Sequence, residues 1–372
     1  MKATKPYGLR LFALLAVFAM IVAACTTDGA ADTTAADGDG ATTAAPDTTG
    51  EGDGDGAAAP EGSFRVGFIE NITTDNWWAS LDTLSSTYNQ GYLTNMHTSL
   101  FDLSLPGFVF IPEMAATDEP VAAVQEGDVW VVEQPIRDDR TWSDGTPVTA
   151  NDLVFYFDTV REFNLGSNHA SSFPPSVLSV TAPDDFTVRV EFDGEPGLAV
   201  WQNGVGFADF VPAHFWQEHV DAARAAAEEA VAGVTEEDAR QGVADASLEN
   251  DAPDDDVAAA DVTQEQIDQF IADAGASEGL TVLYAVESPQ EPSVGPVIFD
   301  QWETGAFAAT VANTDYPGTG TENTYFSDGS FRIAPADGEA KVFGGEGSGD
   351  PVAQYVEGPF VGEILWVEHG TK

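Results

Sequence analysis

Between Trp142 and Phe155 the chain reads Trp-Ser-Asp-Gly-Thr-Pro-Val-Thr-Ala-Asn-Asp-Leu-Val-Phe, and nearly every position restricts the backbone. Asp144-Gly145 is turn chemistry, because Asp hydrogen-bonds its own backbone and Gly accepts a positive φ. Pro147 keeps Thr146 out of the helical region. Thr149 then supplies an N-cap, with Asp152 three residues on as its capping-box partner. Val154, Phe155 and Phe157 put apolar bulk behind the cap. The segment therefore predicts a tight turn that feeds a helix over 150–161.

The N-terminus is a different kind of sequence. Lys2, Lys5 and Arg10 precede an unbroken apolar run from Leu11 to Ala24. Such a run is the core of a signal peptide and is too short to span a bilayer as a mature helix. It ends in Val22-Ala23-Ala24-Cys25, which resembles a bacterial lipobox, so residues 1–24 are expected to be removed and Cys25 to carry the lipid. Cys25 is the single cysteine of the chain, which excludes an intrachain disulfide. Residues 25–62 follow as an acidic tether of Ala, Thr, Asp and Gly. Nothing there is bulky and apolar enough to offset the entropy of ordering it. The Asp-Gly repeats around Asp53 and Asp55 lack the ligand order of a calcium loop.

Over the whole chain 43% of residues are hydrophobic and 10% aromatic, and the part beyond the tether reads as globular with a real core. Acidic residues number 63 against 13 basic ones, a net charge of −50. That charge argues against a nucleic-acid partner, whose phosphates it would repel, and against lying flat on an anionic membrane. It is compatible with a cationic solute, but because the acids are spread everywhere, solubility in a salty habitat is the favoured reading.

Alternation predicts strands at Ser63–Ile69, Asp128–Glu133 and Phe186–Phe192. Strand-like and turn-like pieces run from Tyr92 to Leu103. A helix is expected from Ala213 to near Ala230. Residues 221–277 read as an acidic helical insertion on the surface, with caps at Thr235 and at Thr263 (Gln266 three residues on), broken by Asp251–Asp256. Strands return at Val297–Trp302 and Phe307–Asn313, with Thr304-Gly305 as the turn, and again at Glu363–Glu368.

Four segments in this order carry a family resemblance. They are Trp142–Phe155; Phe210-Val-Pro-Ala-His-Phe-Trp216; Gly295-Pro296-Val297 with Trp302 and the later Ala312-Asn-Thr-Asp-Tyr316; and Gly358-Pro-Phe-Val-Gly-Glu-Ile364. Together they resemble the extracytoplasmic solute-binding proteins of peptide, nickel and oligopeptide ABC importers, solute-binding family 5, over roughly residues 64–370. The resemblance implies an α/β fold: the first lobe of a type II periplasmic binding protein, with mixed β-sheets and flanking helices. It implies a lipoprotein on the outer face of the cytoplasmic membrane that hands a peptide or similar small solute to ABC permease subunits, with no cofactor and no metal. Family members are longer, and the match ends where their second lobe should start. A shortened reading frame, a fragment and a protein completed by another chain all remain open, and Gly370-Thr371-Lys372 resembles the onset of an unfinished helix cap.

In the family, solute lies against the segment matched by Asn95–Phe101. That would let His97, Thr98 and Ser99 offer hydrogen bonds and Phe101 an apolar wall. Trp77, Trp78 and Trp201 are further candidates for facing the solute. The same residues also read as core and satisfied surface positions. Catalysis finds little support: there is no His-Glu-x-x-His, no Gly-x-Ser-x-Gly elbow and no phosphate loop. A solute-binding lipoprotein, an incomplete non-binding surface module and a lipoprotein enzyme remain the three classes, with the first expected.

Overall fold

A computed structural model describes residues 60–104, 107–249, 262–287 and 290–368. The expectations for the leader, Cys25, the tether up to residue 59, the Asp251–Asp256 break and the last three residues lie outside these ranges. Along the chain come β1 (Ser63–Phe68), α1 (Trp77–Ser80), α2 (Thr87–Leu93), β2 (Thr98–Ser99), β3 (Phe101–Ser104), β4 (Val109–Pro112), β5 (Val124–Glu126) and β6 (Val129–Pro135). Then follow α3 (Ala150–Glu162), α4 (Ser167–Ser172), β7 (Val177–Asp184), β8 (Thr187–Phe192), β9 (Asp209–Phe210), α5 (Ala213–Val231), α6 (Glu236–Glu249) and α7 (Gln264–Tyr284). The chain closes with β10 (Val297–Glu303), β11 (Phe307–Ala312), β12 (Glu322–Phe326), β13 (Phe331–Ala334), β14 (Lys341–Phe343), β15 (Pro351–Val356) and β16 (Glu363–Glu368).

The strands form three four-stranded sheets and two short ribbons. One sheet has the order β1-β16-β11-β10, with β1 parallel to β16 and the other pairs antiparallel. The segment Gly358–Ile364 thus returns the chain to its first strand, Phe64 lying opposite Ile364. The antiparallel sheet β5-β6-β8-β7 holds the alternating strand β8, whose Val188, Val190 and Phe192 are buried. The third sheet, β14-β13-β12-β15, has no counterpart in the sequence reading, because β15 is exposed at every position and shows no apolar period.

The core lies under α3. Trp78, Tyr156, Trp216, Phe163 and Phe173 are all buried, and Trp78 meets Trp216 edge-on at 6.0 Å. The start of α3 is closed by its capping box: the Asp152 carboxylate accepts the Thr149 N–H at 2.9 Å. Gly145 takes φ +87° in the preceding turn, as the Asp-Gly pair requires.

The helices of 213–284 differ from a solvated insertion. Position 221 falls inside α5, and α7 packs closely on α5 and the core. Gly275, Ala276, Gly279 and Leu283 of α7 are buried. A Cβ at Gly279 would press on the Phe163 ring and the Ala223 carbonyl. The small residues that permit this approach carry little hydrophobic signal, so the acidic positions between them dominate the sequence. The expected caps at Thr235 and Thr263 do form. Ala239, Ala244, Val262 and Ile267 make a second, smaller core where α6 meets α7. At its far end α7 is tied down by Asn76, whose side chain caps α1 and donates to the Leu283 and Val286 carbonyls at 2.9 and 3.1 Å.

Candidate functional site

The family-like segments converge through hydrogen bonds. Asp152 is the first junction: it accepts from Thr149 N–H, from Ala213 N–H at 3.0 Å and from the Trp142 indole N–H at 3.3 Å. His214 Nε2 lies 2.8 Å from Asp144 Oδ2. Ser143 binds the loop before β10, donating its N–H to Ser293 O at 2.7 Å while its Oγ accepts Ser293 N–H at 3.0 Å. That loop runs against the turn before β2. Val294 N–H donates to Met96 O, and a Cβ at Gly295 would sit on the Asn95 carbonyl oxygen. Asn313 holds the other side, its amide donating to Gly295 O at 2.8 Å.

These contacts wall a polar cleft of about 260 Å³ whose lining includes His97, Thr98, Ser99, Glu113, Arg140 and Asp209. The β2–β9 ribbon sets its back, with Ser99 opposite Asp209. His97 is the buried anchor. Its ring stacks on Trp77 at 3.9 Å, its Nε2 lies 2.9 Å from Glu291 Oε1, and its Nδ1 is 3.4 Å from Leu93 O. Both ring nitrogens face acceptors, the arrangement of an imidazolium. Burial by itself lowers the His97 pKa, but Glu291, with help from Asp209, outweighs it and the net shift is upward.

The other charges of the cleft are not neutralised by contact. Among the described residues, the side chains of Arg140, Glu113 and Asp209 have no hydrogen-bond or ion-pair partner. Burial pushes Asp209 up to about 6, with His97 opposing and Glu291 adding. Glu113 is open to solvent yet hemmed in by the cleft walls, which with Asp102 and Glu357 push it up to about 7. Desolvation and then the neighbouring Arg137 lower Arg140. Tyr316, also on the lining, donates to Glu357 at 2.9 Å.

Two roomier hollows, of about 540 and 710 Å³, lie beside β14. Their basic side chains are already matched: Arg137 pairs with Asp139 at 2.7 Å and Lys341 with Asp118 at 2.5 Å. Of the three, the cleft at His97 is the one that keeps a basic side chain, Arg140, without a hydrogen-bond or ion-pair partner, and it is the candidate site.

Of the residues expected to meet a solute, His97, Thr98 and Ser99 line this cleft. The aromatic candidates are core instead. Trp77 is buried behind His97, and Trp78 packs against Tyr156, His169 and Trp216. Phe101 is buried beside Phe110. Trp201 is buried with its indole N–H on Val121 O at 2.9 Å. An adjacent Trp pair was expected to turn one ring to the cleft, but α1 is a short helix with both its tryptophans covered. Glu113, Arg140, Asp209 and Glu291 escaped the sequence reading, and Tyr316 was read only as part of a family-like segment. Among so many acids no single carboxylate stands out, but Arg140, one of 13 basic residues and two positions before Trp142, was a usable signal.

Among the described residues no group of three or more His, Cys, Asp or Glu side chains is placed to hold a metal ion, and no helix is long and apolar enough to cross a membrane.

Residues 125–341 match the family model described as bacterial extracellular solute-binding proteins, family 5 Middle. Comparison with curated proteins gives no match. Solved structures similar in fold include the periplasmic EDTA-binding protein EppA, at 16% identity and TM-score 0.47, covering 84% of this chain and 40% of its own. The oligopeptide-binding protein AppA from Bacillus subtilis, in complex with a nonapeptide, is similar at 15% identity and TM-score 0.44, with coverage of 84% and 40%. NikZ from Campylobacter jejuni, in complex with Ni(L-His), is similar at 14% identity and TM-score 0.39, with coverage of 68% and 35%. The chain spans about 40% of the length of the first of these structures.

Proposed function

This chain belongs to the bacterial extracellular solute-binding proteins of family 5, and from that premise we propose that it is the extracytoplasmic solute-binding component of an ABC importer for peptides or similar small solutes. On this reading residues 1–24 direct export, Cys25 carries the lipid anchor, residues 25–62 are the tether, and the first lobe of a type II binding fold follows from residue 63. The permease subunits in the membrane are its partners. The observation that carries the reading is the cleft at His97. Its wall includes Gly295, Pro296 and Tyr316 of one segment that resembles the family, and it holds charges of both signs that make no hydrogen bond or ion pair among the described residues. Groups desolvated without partners are costly, and a bound solute relieves that cost. Nothing in the cleft pairs a nucleophile with a base, which favours binding over turnover.

The test is thermal denaturation of the exported chain with broad pools of short peptides, metal chelates and sugar acids at millimolar concentration. At least one pool should raise the midpoint, since a ligand that binds only the folded state stabilises it by mass action. No shift with any pool sinks the binding function for this chain and leaves the non-binding surface module.

A further inference from the structure

We propose that Tyr355 is a specificity-determining residue of the solute site, its half-exposed ring taking a flat cation of the guanidinium type carried by the solute. The assignment rests on the reading of this chain as a solute binder and names one group that the solute presents.

The ring ends an aromatic ladder across the third sheet. Phe331 on β13 lies opposite Tyr325 on β12, with ring centroids 4.6 Å apart. Tyr325 and Tyr355 of β15 stack at 6.3 Å with an interplanar angle of 30°. Their hydroxyls are bonded to each other, which holds the tilt. Cover falls away along the ladder: Phe331 is 2% exposed, Tyr325 is half-buried and Tyr355 is 48% exposed. The last ring is thus fixed by its neighbours and keeps open surface, so a ligand stacks on it at little cost in ordering.

Sheet geometry sets where the ladder ends. Asn323 lies opposite Tyr355, and directly opposed residues of antiparallel strands point the same way. Glu357, two residues beyond Tyr355, is on that side as well. It accepts from the Asn323 amide at 2.7 Å and from the Tyr316 hydroxyl at 2.9 Å. Tyr316 lines the cleft at His97. The open ring therefore stands beside the cleft, a short chain of contacts from its wall.

The charge around the ring calls for a cation. Asp102, also on the cleft lining, and Glu357 both act on the Tyr355 hydroxyl. Asp102 accepts the Leu103 N–H at 2.6 Å, and among the described residues no basic side chain pairs with it. Glu357 accepts from neutral groups. Arg140 and Arg137 both act on Glu113, and Arg137 is paired with Asp139. Asp102 and Glu357 thus remain as an acidic surplus next to the ring. A neutral aromatic group would stack on Tyr355 and leave that surplus unmet. An ammonium would meet the carboxylates but has no flat face. A guanidinium does both, its plane on the ring and its N–H groups toward the carboxylates.

The experiment measures the thermal shift of the full exported chain with N-acetyl-arginine amide, N-acetyl-lysine amide and N-acetyl-citrulline amide. Capping removes the terminal charges, so the compounds differ at the side chain alone. The lysine compound carries the same charge as the arginine compound, and general screening of this acidic chain affects both alike. The arginine compound should reach half its shift at a concentration about tenfold below the other two. Y355A should abolish that preference, Y355F should keep it, and D102N should bring arginine and citrulline closer together. Where Y355A fails to fold, Y355L, which keeps bulk and loses the aromatic face, stands in for it. A preference that survives the loss of the ring overturns the assignment. So does the absence of any arginine preference in the parent chain when another solute pool raises the midpoint, and solute binding itself then stands. No shift with any solute, these three included, overturns both.

Discussion

His97 and Glu291 are 194 positions apart in sequence, yet His97 Nε2 rests 2.9 Å from Glu291 Oε1 with both side chains almost wholly buried. This pair fastens the loop before β10 to the turn before β2 and so fixes one wall of the cleft. Removing one partner strands the other charge out of water. E291A should lower the unfolding free energy by about 3 kcal/mol, measured by urea denaturation at pH 6. E291Q, which keeps an acceptor for a neutral imidazole, should cost less. The pH dependence has a definite sign. The folded-state pKa of His97 lies above its ordinary value of 6.5. The contribution of the pair is therefore full below pH 6.5 and is lost as pH rises through the folded-state pKa. The gap between the parent chain and H97Q should narrow above neutrality, and a gap that widens there contradicts an imidazolium.

His169 has the opposite sign. It is fully buried, with Nδ1 2.8 Å from the Tyr156 hydroxyl and Nε2 2.9 Å from the Trp78 carbonyl. One nitrogen accepts from the tyrosine and the other donates to the carbonyl, so the ring is neutral. Burial lowers its pKa from 6.5 to about 4. The unfolded chain therefore binds a proton that the folded chain refuses, and stability falls as pH drops from 6.5 toward 4. The loss is on the order of 3 kcal/mol. H169Q should be less stable than the parent at pH 7, and the difference should shrink by pH 4.5 in parallel urea titrations.

The contrast between these two histidines shows what was legible in the sequence. His97 sits in a segment that resembles the family's solute-facing stretch, and it does line the cleft. Its partner Glu291 is one acid among 63 and carried no mark. Elements with strong local signals were read close to their ends: α3 from its capping box, β8 from its alternation, and the β10–β11 hairpin from Thr304-Gly305, where Gly305 adopts φ +73°. Elements stabilised mainly by tertiary contact were not read. The short helix α1 depends on Asn76 and on burial of Trp77 and Trp78, and the strand and turn pieces expected from Tyr92 begin only at Thr98, since Tyr92 and Leu93 end the helix α2. The cleft joins residues from β2, β3, β9 and five connecting segments, and local patterning does not register such long-range assembly.

Asp152 offers a direct test of why the Trp142–Phe155 segment is built as it is. Its carboxylate accepts three N–H groups from Trp142, Thr149 and Ala213, and it is itself buried. D152A leaves those donors unmet where α3 and α5 begin and should cost about 3 kcal/mol. D152N retains one acceptor oxygen and should cost less. Urea midpoints with unchanged denaturant slopes would separate lost stability from a change in the unfolded state.

The proposed anchor has an independent check. C25S removes the thiol that would carry the lipid. The exported parent chain should sediment with membranes and extract into detergent, and C25S should not. Intact mass should show the acyl increment on the parent alone. A single acyl chain holds a protein only marginally, whereas several chains on one cysteine hold it firmly, so the partition should be nearly complete in each direction.

Gly295 links the family-like segment around it to the geometry of the cleft. Its φ is not unusual; its constraint is space, since a Cβ there would overlap the backbone carbonyl of Asn95. A carbonyl held by the turn before β2 has no rotamer by which to step aside, so the loop itself must move. G295A should cost about 1–3 kcal/mol through overpacking. The same displacement would pull on the Asn313 amide that holds Gly295 O and on the Val294 bond to Met96. Stability and cleft shape should therefore change together. For a solute pool that stabilises the parent chain, G295A should raise the concentration for half the thermal shift several-fold. G305A, at a hairpin turn with open space around its Cβ position and φ +73°, should lose about 1 kcal/mol of stability and leave binding unchanged. Equal effects of the two substitutions on binding would mean that the contact with Asn95 does not shape the cleft.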